Sequence, residues 1–357
     1  KVLSSVMRTS AQSEFDIDAW SRGQASLTIS YSVVNTSSGE IVAKGGAITC
    51  DSVVNFKNDE AFSAYVEGTA TLSLGNDPIN GKYRIYASHD CRFLTSNYRL
   101  AFSISGQPGE QVDVWDVNTN APFYSCGAKG FSNGSAKMSI SDMATGATSI
   151  SVGACSARND YPLTSGATRS SSYRAGTIPS FSSYGEDVNG IPHPFISAPG
   201  ATVVSSVSRF NGSNSTASQS VTDGNGIKHY WYVKSGTSMS APCVTGIVAL
   251  WMQACNNLDY SQIKDVMAST AQQVGTGIKW GAGLIDAYAG LKTIVDNYSV
   301  KGDVNADGIV DIIDVNVLIN IILGSSNRTA RADLNADGLI DVVDLNILID
   351  LVLNGHE

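Results

Sequence analysis

Two copies of one twelve-residue pattern, 30 residues apart, constrain the end of this chain more tightly than any other feature. The first copy reads Asp303-x-Asn305-x-Asp307-Gly308-x-x-Asp311-x-x-Asp314, and the second reads Asp333-x-Asn335-x-Asp337-Gly338-x-x-Asp341-x-x-Asp344. A calcium ion takes six to eight hard oxygen ligands, and a tight loop supplies them from positions 1, 3, 5, 7, 9 and 12. Both copies place Asp or Asn at 1, 3 and 5 and Asp at 9 and 12, while position 7 offers the main-chain carbonyls of Ile309 and Leu339. Gly308 and Gly338 occupy position 6, where such a loop turns sharply. Two calcium ions are therefore expected, one per loop. The alternative is an acidic solvated tail. One such motif arises by accident, but two in register rarely do.

After each loop the apolar residues recur at helical spacing. Val315, Leu318, Ile319 and Ile322 share one face, and Leu345, Leu348, Ile349 and Val352 repeat it. Two such short helices bury their stripes against each other only if the loops hold them, and the metal does the holding. Position 12 is Asp rather than the Glu of ordinary EF-hands, and no matching helix is expected before either loop. In both respects the segment resembles a type I dockerin module. The resemblance implies docking onto a cohesin-like domain on a scaffold or cell surface. It also implies partner contacts at loop positions 10 and 11, here Ile312, Ile313, Val342 and Val343. The near-equivalence of the copies allows docking in either of two orientations.

Charge follows the same division. Residues 298–357 hold ten acidic side chains against three basic ones, so they carry −7 of the net −9. That balance opposes a nucleic-acid footprint, and no apolar run approaches the ~20 residues needed to span a bilayer. A Ser-, Gly- and Thr-rich remainder suits a secreted or cell-surface protein. Because the chain opens at Lys1-Val2-Leu3, it reads as a mature or truncated product. Six cysteines are too few for a disulfide scaffold, and their spacing fits no zinc template. Cys243 and Cys255 are expected on one helix, about 18 Å apart at ~1.5 Å per residue, and so as buried thiols. Cys50, Cys91 and Cys126 are left as candidates for pairing.

A second region carries chemistry. In Ser235-Gly236-Thr237-Ser238-Met239-Ser240-Ala241-Pro242 a Gly-Thr turn opens an apolar helix. Ser238 then stands at the helix N-terminus with its hydroxyl exposed and free N–H groups nearby to stabilise an oxyanion. Read as Ser-Gly-Thr-Ser alone, the string is an ordinary N-cap. The longer string resembles the nucleophile motif of subtilisin-like serine peptidases. Further matches follow in that family's order: Thr148–Ala154 as a core strand, Ser180-Phe181-Ser182-Ser183-Tyr184-Gly185 as a turn, Ala198-Pro199-Gly200 as a strand end, and Gly281-Ala282-Gly283-Leu284-Ile285-Asp286-Ala287 as the start of the closing helix. The resemblance covers about residues 141–297. It implies Ser238 as the nucleophile of a peptidase acting on polypeptide substrates. Cys243, standing where many members have a helix His, leaves that chemistry intact.

A serine hydroxyl attacks a carbonyl only when a base takes its proton. The family's D-[ST]-G, H-G-T and G-N-x-G motifs, which carry its Asp, His and oxyanion Asn, are absent here. His89, His193, His229 and His356 each read as surface or structural, and Gly75-Asn76-Asp77-Pro78 reads as a hairpin turn. Residues 1–140 alternate as strands do: Leu27, Ile29, Tyr31 and Val33 in one run, Tyr98, Leu100, Phe102 and Ile104 in another. Gly109–Trp115 resembles a strand of the sandwich inserted in some subtilases between the oxyanion Asn and the Val-Gly-Ala strand.

The expected architecture is therefore multidomain. A β-sandwich spans residues 1–140, the C-terminal half of an α/β three-layer parallel-sheet domain spans 141–297, and a small all-α calcium module spans 298–357. The missing N-terminal peptidase half is expected to be a partner. The competing function is non-catalytic: a peptidase-like scaffold or a glycan- or protein-binding sandwich anchored by the calcium module.

Overall fold

The computed structural model describes residues 2–7, 12–117, 123–210, 218–298 and 300–354. The chain divides into two compact units between Ser135 and Ala136.

The first unit contains β1 (Val2–Met7), β2 (Gln12–Ser21), β3 (Thr28–Asn35), β4 (Ile41–Lys44), β5 (Ser52–Asn55), β6 (Val66–Asn76), β7 (Tyr83–Phe93), β8 (Tyr98–Ser105), β9 (Val112–Asp116) and β10 (Phe123–Tyr124). They form two sheets, in the orders β10-β1-β8-β3-β4 and β5-β6-β7-β2-β9. The ladders are antiparallel, as in Tyr31↔Phe102 and Ile17↔Ala87. Alternation explains the packing. Ile29, Tyr31 and Val33 of one sheet meet Ile17, Ala19, Ile85 and Ala87 of the other in a single core. Each large aliphatic side chain so buried contributes roughly 1.5–3 kcal/mol. The turn at Asn76-Asp77-Pro78 links β6 to β7, where Asp77 Oδ1 accepts from Ile79 N and Asn80 N (both 3.0 Å).

His89 lies in this core, stacked on Phe15 with centroids 4.3 Å apart. Its Nε2 is 2.7 Å from the Tyr31 hydroxyl and its Nδ1 is 3.0 Å from Phe15 O. Burial pushes its pKa down to about 4. The neutral ring then donates from Nδ1 to the carbonyl and accepts the tyrosine hydroxyl at Nε2. Cys91 is in the same core, where burial pushes the thiol up to about 12. None of the pairing candidates Cys50, Cys91 and Cys126 is bonded to another, and all six cysteines are free. Cys50 is exposed while Cys91 points into the core, so their thiols do not meet.

In the second unit the strands are β11 (Val152–Ser156), β12 (Asp160–Pro162), β13 (Thr168–Ser170), β14 (Gly185–Glu186), β15 (Pro192–His193), β16 (Ile196–Ala201), β17 (Val203–Val207), β18 (Gln219–Thr222) and β19 (Lys228–Lys234). The helices are α1 (Thr237–Ala254), α2 (Tyr260–Thr270), α3 (Ala287–Tyr298), α4 (Ile312–Ile322) and α5 (Val342–Asn354). β11 and β16 pair in parallel, and Ser197 of β16 adds a parallel bridge to Leu284. α1 packs on both strands and against α3. Trp251, fully buried, donates to Ala287 O at 3.0 Å, and Gly290 leaves room for its ring.

The strand expected from Thr148 starts only at Val152. Before it, Ser149 Oγ closes a local turn by donating to Gly146 O, and Ser151 Oγ accepts from the distant Phe195 N. Cys255 is buried at the end of α1, but Cys243 within it is only half-buried, in contact with Met239 O. α4 and α5 pack through Leu318 and Leu348 in a separate core.

Candidate functional site: a nucleophile turn and two oxygen-rich loops

The nucleophile turn is held from a distance in sequence. Gly236 N donates to Gly200 O (2.8 Å), and Thr202 N donates to Ser235 Oγ (2.9 Å). Gly200 must lack a side chain, since a Cβ there would overlap Ser240 Oγ and Ala154. Ala154 N in turn donates to the buried Ser182 hydroxyl at 2.9 Å, which gives the Ser-Phe-Ser-Ser turn its structural role. Ser238 is the second residue of α1 and is exposed. No side chain caps this helix; Met239 N donates to Gly236 O at 3.0 Å, which leaves the N–H groups of Thr237 and Ser238 for another acceptor. Ser240, two residues on, is fully buried, and its hydroxyl has no partner among the described residues.

No histidine among the described residues bonds to Ser238. His89 is in the first unit's core. His229, an exposed residue of β19, is 3.0 Å from Asp223, and that contact holds the Asp223 carboxyl below its usual range. His356 lies outside the described residues. His193 sits in a different triad: Nδ1 is 2.7 Å from Ser151 Oγ and Nε2 is 3.6 Å from Asp187 Oδ2. Ser151 is 3% exposed and its hydroxyl is occupied by Phe195 N, so substrate cannot reach it. This cluster ties the 185–195 loop to the residues before β11. A cavity of about 450 Å³ lies between Thr177, Ile178, Tyr184 and the 274–280 loop. Lys279 in its lining sits over the Tyr184 ring at 4.3 Å, and no serine, cysteine or histidine is among the lining residues.

The two acidic loops are close copies in three dimensions. In the first, Asp303 accepts from Asp307 N and Gly308 N, both at 3.0 Å. Asp314 accepts from Val304 N (2.8 Å), Asn305 N (3.0 Å) and Asp311 N (3.0 Å). In the second, Asp333 accepts from Asp337 N (3.2 Å) and Gly338 N (2.8 Å). Asp344 accepts from Leu334 N (2.7 Å), Asn335 N (3.3 Å) and Asp341 N (3.0 Å). Gly308 and Gly338 have φ of 88° and 87°, left-handed values that favour glycine at the turn. Asp314 and Asp344 have no exposed surface. Burial alone would raise the Asp344 carboxyl, but donation from three main-chain N–H groups leaves it below its ordinary range.

The donor chemistry fits a hard cation. Each loop offers four carboxylates, one amide oxygen and one carbonyl, and a carboxylate has about four lone-pair sites, of which the N–H groups use at most three. The side chains are nevertheless turned onto the loop's own backbone. Among the described residues no three acidic groups close around one point, and Asn305 Nδ2 donates to Asp307 Oδ2 at 2.7 Å. Beside the loops, Ile312, Ile313, Val342 and Val343 are 61%, 52%, 58% and 51% exposed.

Sequence reasoning missed two contacts here. Arg331 reaches back to Asp303, and Asn257, just beyond α1, donates to Asp307 O at 3.4 Å. Neither was signalled by the repeat, because both partners lie outside the loop they touch.

The sequence profile of the subtilase family matches residues 32–284, and that of the dockerin type I domain matches residues 301–353. No curated protein matches the chain. Among solved structures, the CspB protease of Clostridium perfringens superposes with a TM-score of 0.53 at 17% identity, over 84% of this chain and 56% of that one. A Pseudoalteromonas arctica protease reaches a TM-score of only 0.29 at 22% identity, over 43% of this chain and 38% of its own. The chain thus spans little more than half the length of the CspB protease, and the likeness is one of fold. Type I dockerin domains typically bind calcium. Among the described residues no helix is long and apolar enough to cross a membrane. With the family profile covering well over half of its length, the chain belongs to the subtilase family and carries a type I dockerin domain.

Proposed function

We propose that this chain is the nucleophile-bearing part of a secreted subtilisin-like serine endopeptidase, tethered to a cohesin-like partner through a calcium-loaded dockerin. One observation carries the peptidase reading: Ser238 is exposed at the uncapped N-terminus of α1, locked to the Ala198-Pro199-Gly200 strand end. There the hydroxyl attacks a peptide carbonyl, and the helix N–H groups receive the developing oxyanion. The proton goes to a histidine oriented by an aspartate, and an Asn completes the oxyanion hole. We place those three groups on polypeptide outside this sequence, packed over the apolar surface that α1 leaves open at Leu250 (57% exposed) and Met252 (41%). The first unit is then a β-sandwich inserted in the peptidase, and residues 141–297 are the C-terminal half of its three-layer α/β domain.

In the dockerin, one calcium ion in each loop would be held by Asp303, Asn305, Asp307, Ile309 O, Asp311 and Asp314, and by Asp333, Asn335, Asp337, Leu339 O, Asp341 and Asp344. Bound calcium supplies the positive charge that these crowded carboxylates otherwise lack. Ile312, Ile313, Val342 and Val343 form the partner-facing surface.

A purely binding role is favoured by the lack of a base bonded to Ser238 among the described residues. The reading frame ahead of Lys1 separates the two. The peptidase reading expects D-[ST]-G, H-G-T and G-N-x-G in that order, and casein cleavage by the extended protein that Ser238→Ala removes. A start codon immediately ahead of Lys1, or cleavage indifferent to Ser238→Ala, would sink it.

A further inference from the structure

The two calcium loops share one pattern and one backbone, yet they differ at their first ligand. Arg331 Nη1 donates to Asp303 O at 3.0 Å and to Asp303 Oδ2 at 3.2 Å, with only 19% and 5% of the two side chains exposed. Arg331 stands two residues before Asp333, and the repeat places Lys301 at the matching position before Asp303. Lys301 is exposed and makes no ion pair with Asp333 among the described residues, whose carboxylate is bonded only by main-chain N–H groups. The guanidinium therefore reaches across to one loop, and nothing reaches back to the other. Loop one is also braced by Asn257, whose amide a Cβ at position 308 would strike, whereas Gly338 has open space around it.

We propose that Arg331 is an intramolecular counter-ion that makes the Asp303–Asp314 loop the weaker calcium site, so that the Asp333–Asp344 loop fills first. This rests on the calcium reading given above. A fixed positive charge on a ligand carboxylate neutralises part of the repulsion that calcium would otherwise relieve, occupies one of its lone pairs, and repels the incoming cation. Ordering of Asp303 by the same contact works the other way. It concerns one residue, while the repulsion acts on a divalent ion at short range in a partly buried site, so the electrostatic effect prevails. At intermediate calcium the near-twofold surface is then unequal: Val342 and Val343 flank a filled loop while Ile312 and Ile313 flank an empty one.

Calcium titration of the full chain by calorimetry tests this, with circular dichroism at saturating calcium to confirm folding of each variant. In the Asp333→Ala background only loop one remains, and Arg331→Gln should tighten its calcium constant by about tenfold, the scale of one partly buried charge-assisted contact. Arg331→Lys, which keeps the charge, should tighten it less. In the Asp303→Ala background, Arg331→Gln should leave loop two unchanged. An unchanged or weakened loop one in Arg331→Gln, or a wild-type loop one that binds more tightly than loop two, would overturn the proposal. Absence of calcium binding to either loop would overturn the calcium reading itself.

Discussion

The dockerin loops and the nucleophile turn are both built at helix N-termini, but they differ in how far their parts are spread along the chain. Each loop assembles its oxygen donors, its turn glycine and the N–H groups that hold them within twelve residues. The nucleophile turn takes its backbone support from Gly200, and Gly200 in turn rests against Ala154 and Ser240. No described histidine bonds to Ser238. A site made of local contacts can form whenever its loop folds. A site made of distant contacts depends on every segment that contributes to it.

The largest expected effect breaks the local site. Asp303→Ala with Asp333→Ala should abolish calcium binding and unfold α4 and α5, because calcium no longer offsets the remaining carboxylates. The first unit should melt as before. A shifted melting transition of the first unit in that double variant would contradict the modular contrast.

The next effect comes from the first unit's own buried polar group. His89 is neutral in the folded chain with a pKa of about 4, against about 6.5 when unfolded. The unfolded state therefore binds the proton more readily. Stability from this group is fully present above about pH 6.5 and is lost as pH falls towards about 4, a change of about 3 kcal/mol. Urea unfolding followed between those pH values should show it, and a flat profile would remove His89 as the cause.

Smaller again is Ser240→Ala. Its hydroxyl is buried without a partner among the described residues, so removing it should stabilise the second unit by about 1 kcal/mol in thermal unfolding. A loss of stability would mean that the hydroxyl has a partner, and that the turn is more tightly organised than described.

Legibility in the sequence followed the same divide. The alternation of Ile29, Tyr31 and Val33 marked an inward face correctly, and the 30-residue repeat located both loops. Alternation did not foresee that Val34 and Ala101, on the opposite face, are also fully buried, since the cover comes from Ala128 far along the chain. The strand motif read from Thr148 was too long: Ser149 Oγ closes a turn onto Gly146 O, and the ladder with β16 begins only at Val152. Ser238 was placed by its motif. The buried Ser151–His193–Asp187 cluster, which mimics a catalytic triad in composition alone, became visible only when the chain was folded.

Fluorophosphonate labelling at Ser238 shows whether this chain activates the serine by itself. Labelling should be slow, no faster than that of an unactivated serine, and flat from about pH 5 to about pH 8, because no described histidine reaches the hydroxyl. Rapid labelling that rises through the histidine range and vanishes in Ser238→Ala would contradict this expectation, since the chain would then carry its own base.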